Sequence, residues 1–400
     1  MENLAPRAAA ERSFHNERMM RADFDKAPFT IAWEVTRACA YACVHCRADA
    51  MHTPDPHELT TEESLHLIDR LAEFGSPILI FTGGDPMMRK DLHELIAYAA
   101  QKGLRCSLTP TATALPTTAR LEKVRDAGIR RIALSLDAPR PEIHDNFRQV
   151  KGSWQRTMDI LHRAQSIGVS VQVNTTVAKH NVDILDEMVP FLKEVGAVQW
   201  SLFFLVPTGR GKLADLLSAD EFEQVFERIY RLSKTANFDI KTTEAQHYRR
   251  YLMQQRVAER KASSAPYTIP EKAADTIGRA PRGLNDGKGF AFISHTGEVF
   301  PSGFLPESGG NLRRQPLATI YRESPVFREL RDTSKLEGKC GACEYKEICG
   351  GSRARAYALT GDPLAQEPCC IYQPRNWKPK TEDDQPALCQ PEHATPLVSL

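Results

Sequence analysis

Between Phe29 and about Phe204 the sequence repeats one pattern six times, in which a short apolar run is followed by an amphipathic stretch. Glycines stand at or just after the ends of four of the amphipathic stretches, where a helix ends before a strand: Gly103, Gly128, Gly168 and Gly196. The predicted strands are 29–35, 77–81, 104–108, 130–136, 169–177 and 198–205. The predicted helices are 61–74, 92–102, 117–127, 154–167, 184–195 and 219–234.

Runs that are apolar throughout are typical of parallel strands buried on both faces. We therefore predict an α/β fold with a partial (βα)6 barrel, because a closed barrel needs eight units.

Shifts in composition divide the 400 residues into five segments, since a chain of this length exceeds one hydrophobic core. The predicted segments are an N-terminal arm 1–28, the barrel 29–235, a linker or substrate loop 236–289, a cysteine-rich domain 290–376 and a mobile tail 377–400. The cysteine-rich segment opens with a predicted hairpin at 290–301, around a His-Thr-Gly turn.

Charge and hydropathy exclude some classes of protein. The formal net charge is +1, which gives no electrostatic reason to expect a nucleic acid as partner. No apolar run approaches the roughly 18 residues that a membrane span needs. The first residues also lack the apolar region of a secretory signal. We expect a cytoplasmic protein without a membrane partner, and in that compartment cysteines are reduced rather than disulfide-bonded.

The first cysteine cluster directly follows the first predicted strand, with Cys39, Cys43 and Cys46 in CxxxCxxC spacing. Loops at the carboxyl ends of parallel strands form the active face of such a fold. Three thiolates can each bind one iron of a 4Fe-4S cluster and leave the fourth iron open. A structural zinc site is the alternative, but zinc usually takes four Cys or His ligands, and His45 lies between two cysteines.

The second cluster consists of Cys340, Cys343 and Cys349, followed by Cys369 and Cys370. Three of these cysteines have CxxC-x5-C spacing, and a fourth thiolate would close a tetrahedral or a cubane site. The spacing leaves both zinc and an iron-sulfur cluster open.

The CxxxCxxC loop after a first strand resembles the radical S-adenosylmethionine (SAM) superfamily, over roughly 29–205. The resemblance implies a 4Fe-4S cluster on Cys39, Cys43 and Cys46 whose open iron chelates SAM. The reduced cluster then cleaves SAM and releases a 5′-deoxyadenosyl radical, so these cysteines are the predicted catalytic residues. His45 occupies the position that lies against the adenine in the family.

Further SAM contacts are implied by the same resemblance. Thr82-Gly83-Gly84-Asp85-Pro86 matches the family's GGEP motif, which holds the amino group of SAM, with Asp in place of Glu. Contacts to the ribose and the carboxylate are implied for Ser135 and Asp137 at the end of strand four, for Asn174 in strand five, and for Arg148. From the residues alone, Asp137 could instead form a turn and Arg148 could be a solvated charge.

The second cysteine cluster resembles the auxiliary-cluster region of radical SAM proteins of the SPASM and twitch type. The resemblance implies an auxiliary 4Fe-4S cluster on Cys340, Cys343, Cys349 and one more cysteine, for which we favour Cys369 over Cys370. Ser302 stands where a SPASM domain carries a further cysteine. One auxiliary cluster, the twitch arrangement, is therefore expected.

The Trp-Glu-Val-Thr-Arg-Ala-Cys opening and the segment 350–363 resemble the branch that acts in heme b and heme d1 biosynthesis. This implies decarboxylation of tetrapyrrole propionates and an electron donor such as flavodoxin or ferredoxin. Basic residues that could bind the carboxylates are Arg279, Arg282, Lys288, Arg353 and Arg355. Two alternatives stay open: a maturase of a ribosomally made peptide, and a non-catalytic iron-sulfur or zinc scaffold. The maturases usually carry an N-terminal peptide-recognition domain, and only some 28 residues precede the barrel.

Overall fold

The computed structural model describes residues 23–75, 77–262 and 283–378. Within them, ten strands form one sheet. In chain order the strands are β1 Thr30–Glu34, β2 Ile78–Thr82, β3 Arg105–Leu108, β4 Arg131–Ser135, β5 Ser170–Val177, β6 Gln199–Phe204, β7 Asp239–Thr243, β8 Phe290–Ile293, β9 Glu298–Phe300 and β10 Gly310–Asn311.

Helices alternate with the strands of the first part of the chain and dominate after β10. They are α1 Thr61–Glu73, α2 Leu92–Gln101, α3 Thr118–Ala127, α4 Pro141–Arg148, α5 Ser153–Ser166, α6 Leu185–Glu194, α7 Ala219–Ser233, α8 Tyr248–Ala262, α9 Leu317–Glu323, α10 Pro325–Arg331, α11 Gly338–Ala342 and α12 Arg353–Thr360. Helix α1 begins with a reciprocal capping box, in which Thr60 accepts a hydrogen bond from Glu63 N and the Glu63 carboxylate accepts one from Thr60 N.

The strand order is β10-β9-β8-β1-β2-β3-β4-β5-β6-β7. From β1 to β7 each strand pairs in parallel with the next one in the chain. Strand β8 also pairs in parallel, with β1, and β9 and β10 extend the sheet in antiparallel fashion. The carboxyl ends of β1 to β7 therefore meet at one edge, as the predicted α/β partial barrel requires.

The hydrophobic core lies on one face of the parallel strands. Ile31, Trp33 and Phe81 have no exposed surface there. On the other face, alternate residues of β2 and β5 are only half-buried. The expectation that both faces are equally buried is therefore wrong for these strands.

The segment 236–289 contains more than the linker that the sequence predicts. Asp239–Thr243 is a seventh parallel strand, paired with β6, and Tyr248–Ala262 is a helix. The polar run Asp-Ile-Lys-Thr-Thr hides this strand from a search for apolar runs. The hairpin predicted at 290–301 is confirmed by β8 and β9.

Several predicted features lie outside the described residues. These are most of the N-terminal arm, most of the mobile tail, and Arg279 and Arg282. Across 23–75, 77–262 and 283–378, no helix combines the length and the apolar character needed to cross a membrane.

Candidate active site

The loop from Val35 to Met51, here called the cysteine loop, leaves the carboxyl end of β1 and carries the first three cysteines. Two backbone hydrogen bonds close it at its base: Cys39 N donates to Met51 O at 2.7 Å, and Met51 N donates to Arg37 O at 3.1 Å. Cys39 and Cys43 are buried and Cys46 is half-buried. The three thiols thus lie at the edge of the sheet where the active face was expected.

Glycines of two other loops press against the backbone of the cysteine loop. A Cβ atom on Gly84 would lie 2.4 Å from Ala38 O, and one on Gly83 would lie 2.5 Å from Thr36 O. A Cβ on Gly209, which follows β6, would lie 2.5 Å from Cys46 O. These glycines thus accommodate the loop that holds the cysteines.

Arg148, at the end of α4, lies between Asp137 and Cys43. Its Nε donates to Asp137 Oδ2 at 2.7 Å, and its guanidinium also contacts the Cys43 sulfur. Burial opposes ionisation of Asp137, but Arg148, His45 and His144 together hold the pKa of this carboxyl well below its usual range. The alternative in which Arg148 is a solvated charge is therefore wrong, while a contact with SAM stays a prediction.

Replacing Arg148 with methionine is expected to lower the free energy of unfolding by about 3–5 kcal/mol, because Asp137 would keep its buried charge without the cation. Urea unfolding of the protein without SAM measures this. The double variant Arg148→Met, Asp137→Asn is expected to recover part of the loss. A loss below about 1 kcal/mol would mean that the pair behaves as an exposed ion pair.

His45 belongs to a stack of three rings. Phe147 stacks with His45 at a centroid distance of 3.9 Å and with His180 at 3.4 Å. Burial lowers the pKa of His45 to about 3 and that of His180 to about 4, so both rings are neutral at neutral pH. Nδ1 of His45 and both ring nitrogens of His180 lack a hydrogen-bond partner. The stack thus offers flat surfaces and free ring nitrogens, as contact with a purine would require.

Asp85 has no exposed surface, and its carboxyl group already serves the protein. It accepts hydrogen bonds from Met87 N at 3.1 Å and from the Thr113 hydroxyl at 2.9 Å. Burial raises the pKa of this carboxyl. Asp85 and the buried Pro86 therefore shape the turn after β2, and the expected contact of Asp85 with an ammonium group stays a prediction.

Ser135 and Asn174 are neighbours in the register of β4 and β5. Both are half-buried, and Asn174 Oδ1 accepts a hydrogen bond from Gln172 at 2.7 Å. The sheet thus brings these two predicted contacts together on adjacent strands, with Ser135 at the end of β4 and Asn174 within β5.

A buried histidine from the β8–β9 turn contacts the strand that leads into the cysteine loop. His295 Nδ1 lies 3.0 Å from Glu34 Oε2, and its Nε2 lies 3.2 Å from Asp55 Oδ2. Arg37 and Arg47 also pair with the Glu34 carboxylate, at 3.6 and 3.9 Å. No local sequence pattern reveals this cluster, because His295 and Glu34 are about 260 residues apart along the chain.

Stability is expected to fall as pH rises through the pKa of His295. Burial by itself would lower this pKa, but Glu34 and Asp55 raise it above its ordinary value of 6.5. The folded state therefore binds more protons than the unfolded state above that value, and ∂ΔG/∂pH is negative there. Urea midpoints between about pH 6 and about pH 9 measure the slope. In the His295→Gln variant the stability should depend less steeply on pH. An unchanged slope would mean that groups other than His295 cause the pH dependence.

A second pocket is lined by Cys340, Cys343, Cys349 and Cys370, and we call it the auxiliary pocket. Cys369 is not part of it. This residue is fully buried, is disulfide-bonded, and has its sulfur 4.0 Å from Leu217 O. The lining of the pocket favours Cys370 over Cys369, and the fourth ligand stays a prediction. The disulfide at Cys369 departs from the expectation that the cysteines are reduced.

Backbone amides point at the sulfur atoms of the auxiliary pocket. Glu367 N donates to Cys340 Sγ at 3.2 Å, and Tyr345 N and Gly351 N donate to Cys343 and Cys349 at 3.4 Å each. Such bonds stabilise thiolates. Nearby, the Ser302 hydroxyl is buried and hydrogen-bonded to Asp286.

Arg353 and Arg355 are structural rather than substrate contacts. Arg353 is buried and donates to Pro363 O and Ala365 O at 2.9 and 2.7 Å. Arg355 forms a fully buried ion pair with Glu367 at 2.9 Å. Their expected role as carboxylate contacts is therefore wrong. Lys288 is largely buried, 3.9 Å from Glu347.

The two donor sets fit iron-sulfur clusters chemically. In the part of the chain that the structure describes, no three His, Cys, Asp or Glu side chains share the spacing that one metal ion requires. A 4Fe-4S cluster instead binds each cysteine through a different iron. Three thiols beside a guanidinium, and four thiols of which three accept amide hydrogen bonds, are donor sets of this kind.

Known proteins resemble this chain in sequence and in fold. Residues 33–195 match the model of the Radical SAM superfamily. The AdoMet-dependent heme synthase of Nitratidesulfovibrio vulgaris is 44% identical over 351 residues, which are 87% of this chain and 94% of that protein. Its counterpart from Methanosarcina barkeri is 42% identical over 348 residues, which are 87% of this chain and 97% of that protein.

The fold also resembles a solved structure. Streptococcus suis SuiB, in a crystal structure with its precursor peptide SuiA, matches with a TM-score of 0.65 at 15% identity, over 87% of this chain and 76% of that one. At this identity the likeness to SuiB is one of fold.

Proposed function

Because the chain belongs to the radical SAM superfamily, we propose that it is a heme synthase that decarboxylates propionate side chains of an iron tetrapyrrole. The 44% identity to an AdoMet-dependent heme synthase over most of both chains carries this proposal. The arrangement of the cysteine loop supports the chemistry.

The cluster-binding roles are proposed for named residues. Cys39, Cys43 and Cys46 hold the catalytic cluster, and Arg148 holds positive charge beside Cys43. Cys340, Cys343, Cys349 and Cys370 hold the auxiliary cluster. When bound, these groups would supply the reductive cleavage of SAM and the one-electron oxidation that the conversion of a propionate to a vinyl group and CO2 requires.

The protein's own residues prepare the two sites. Gly83, Gly84 and Gly209 fix the backbone of the cysteine loop, because no Cβ fits at these positions. His45 and His180 offer neutral rings and free nitrogens for the adenine of SAM. Arg355 links the carboxyl ends of the barrel strands to the auxiliary pocket, since it donates to Glu244 O and Leu205 O and pairs with Glu367, which lines the pocket. The two sites are thereby held in one framework.

The test is anaerobic turnover of reconstituted, reduced protein with SAM and an iron-coproporphyrin. We expect 5′-deoxyadenosine and a product that has lost CO2 and two hydrogens for each propionate converted. The Cys39→Ala variant should form neither. Intact clusters without 5′-deoxyadenosine would favour the non-catalytic scaffold. SAM cleavage without decarboxylation would instead favour another substrate, such as a peptide.

The electron that initiates each turnover must come from a protein of low reduction potential. We infer a flavodoxin or a ferredoxin as the donor. Replacing the chemical reductant with either protein and its reductase should sustain formation of 5′-deoxyadenosine.

A further inference from the structure

His247 follows β7 and lies directly before helix α8, at the wall of the auxiliary pocket. Its side chain is 1% exposed. The ring packs against Phe222 and Phe226, with centroid distances of 5.2 and 4.7 Å. Neither ring nitrogen has a hydrogen-bond partner. A buried polar group without a partner destabilises the folded state, so a partner for this ring is to be expected.

The protonation state of the ring defines what that partner can be. Burial lowers the pKa of His247 to about 3, so the imidazole is neutral and has one N–H donor and one acceptor. An acceptor placed inside the auxiliary pocket would satisfy the donor.

The other polar side chains of the pocket wall each have at least one bond to a protein atom, and Arg250 leaves only its Nε without a partner. Arg250 is paired with Glu223 at 2.5 Å. Lys339 donates to Cys370 O, and Lys346 donates to Gly341 O at 3.1 Å. His247 thus differs from them, because both of its polar atoms are free.

We propose that His247 donates a hydrogen bond to a sulfur atom of the auxiliary cluster and thereby raises the reduction potential of that cluster. This rests on the proposed function, which assigns a 4Fe-4S cluster to Cys340, Cys343, Cys349 and Cys370. Since these four cysteines supply one ligand for each iron, His247 is a positioning residue and not a ligand.

The effect on potential follows from charge. Reduction adds one negative charge to the cluster, and a hydrogen-bond donor at sulfur stabilises that charge more than it stabilises the oxidised form. His247 would therefore make electron uptake from the substrate more favourable.

The experiment isolates the auxiliary cluster by replacing Cys39, Cys43 and Cys46 with alanine. In this background the reduction potential of the auxiliary cluster is measured by redox titration with EPR detection. Three proteins are compared: one with His247 unchanged, one with His247→Phe and one with His247→Asn. Phenylalanine fills a similar volume without a donor, whereas asparagine retains one. Phe226→Leu is the matched control, because it disturbs the same aromatic packing and leaves the imidazole in place.

We expect His247→Phe to lower the equilibrium constant for reduction about tenfold, a shift of 59 mV toward negative potential for one electron. Iron should remain at about four per chain. His247→Asn should recover part of the shift, and Phe226→Leu should cause little. An unchanged potential in His247→Phe would overturn the inference, and so would a loss of iron, which would make His247 a ligand.

A second measurement does not depend on how the variants fold. With histidine labelled by 15N, pulsed EPR of the reduced auxiliary cluster should show a weak 15N coupling, and its absence would overturn the inference. If the background chain with intact His247 binds no iron, the assignment of the auxiliary cluster itself fails. The two failures are therefore distinguishable by the iron content.

Discussion

Replacing Cys370 with alanine should remove the auxiliary cluster and lower the iron content from about eight to about four per chain. The structure places this thiol in the auxiliary pocket with Cys340, Cys343 and Cys349. Burial raises the pKa of Cys370, and the positive charges of Arg250 and Lys339 partly oppose that rise. Iron analysis and EPR of the reduced protein measure the loss. Decarboxylation should stop, while SAM cleavage should continue.

The adjacent residue provides the control. Cys369→Ala should retain about eight irons per chain, because its sulfur faces Leu217 O and not the pocket. If Cys369→Ala loses four irons and Cys370→Ala loses none, the assignment of the fourth ligand is reversed. An iron content near twelve in the unmodified protein would indicate a third cluster.

Replacing Gly84 with alanine should abolish most SAM cleavage, lowering the formation of 5′-deoxyadenosine by about two orders of magnitude. The added Cβ would lie 2.4 Å from Ala38 O and 2.6 Å from Arg37 O, and both atoms belong to the backbone. Backbone cannot move aside as the end of a side chain can. The cysteine loop would therefore shift from the position at which its thiols converge.

Gly103→Ala separates this effect from a general loss of stability. Gly103 has φ +80°, so alanine there is strained, but no atom lies within 4 Å of the added Cβ. This variant should lose about 1 kcal/mol of stability and retain SAM cleavage. Equal activities of the Gly84→Ala and unmodified proteins would show that the cysteine loop has room to move.

Much of the fold follows from local patterns. The six predicted strands agree with the structure to within one residue at each end, because each is a short apolar run bounded by turn residues. Strand β7 was missed because its alternate residues are polar. The pairing of β8 with β1 joins segments about 260 residues apart, which no local pattern can reveal.

The candidate site was predictable where spacing carries the information. Cys39, Cys43 and Cys46 share one short loop, whereas the fourth position of the auxiliary pocket depends on which of two adjacent side chains turns inward. Basic residues were harder to interpret. Arg355 carries the positive charge that a contact with a substrate carboxylate needs, but it pairs with Glu367. Only the fold brings these two side chains together.

The place of β8 in the sheet has a consequence during synthesis of the chain. Until residues 290–293 have left the ribosome, β1 has an unpaired edge, and such edges invite association with other chains. His295 reaches Glu34 only after the same event. The loop that carries Cys39, Cys43 and Cys46 is therefore translated about 250 residues before the strand and the histidine that brace it. Iron delivered during translation would meet an incomplete site, so we expect cluster insertion to follow release of the finished chain.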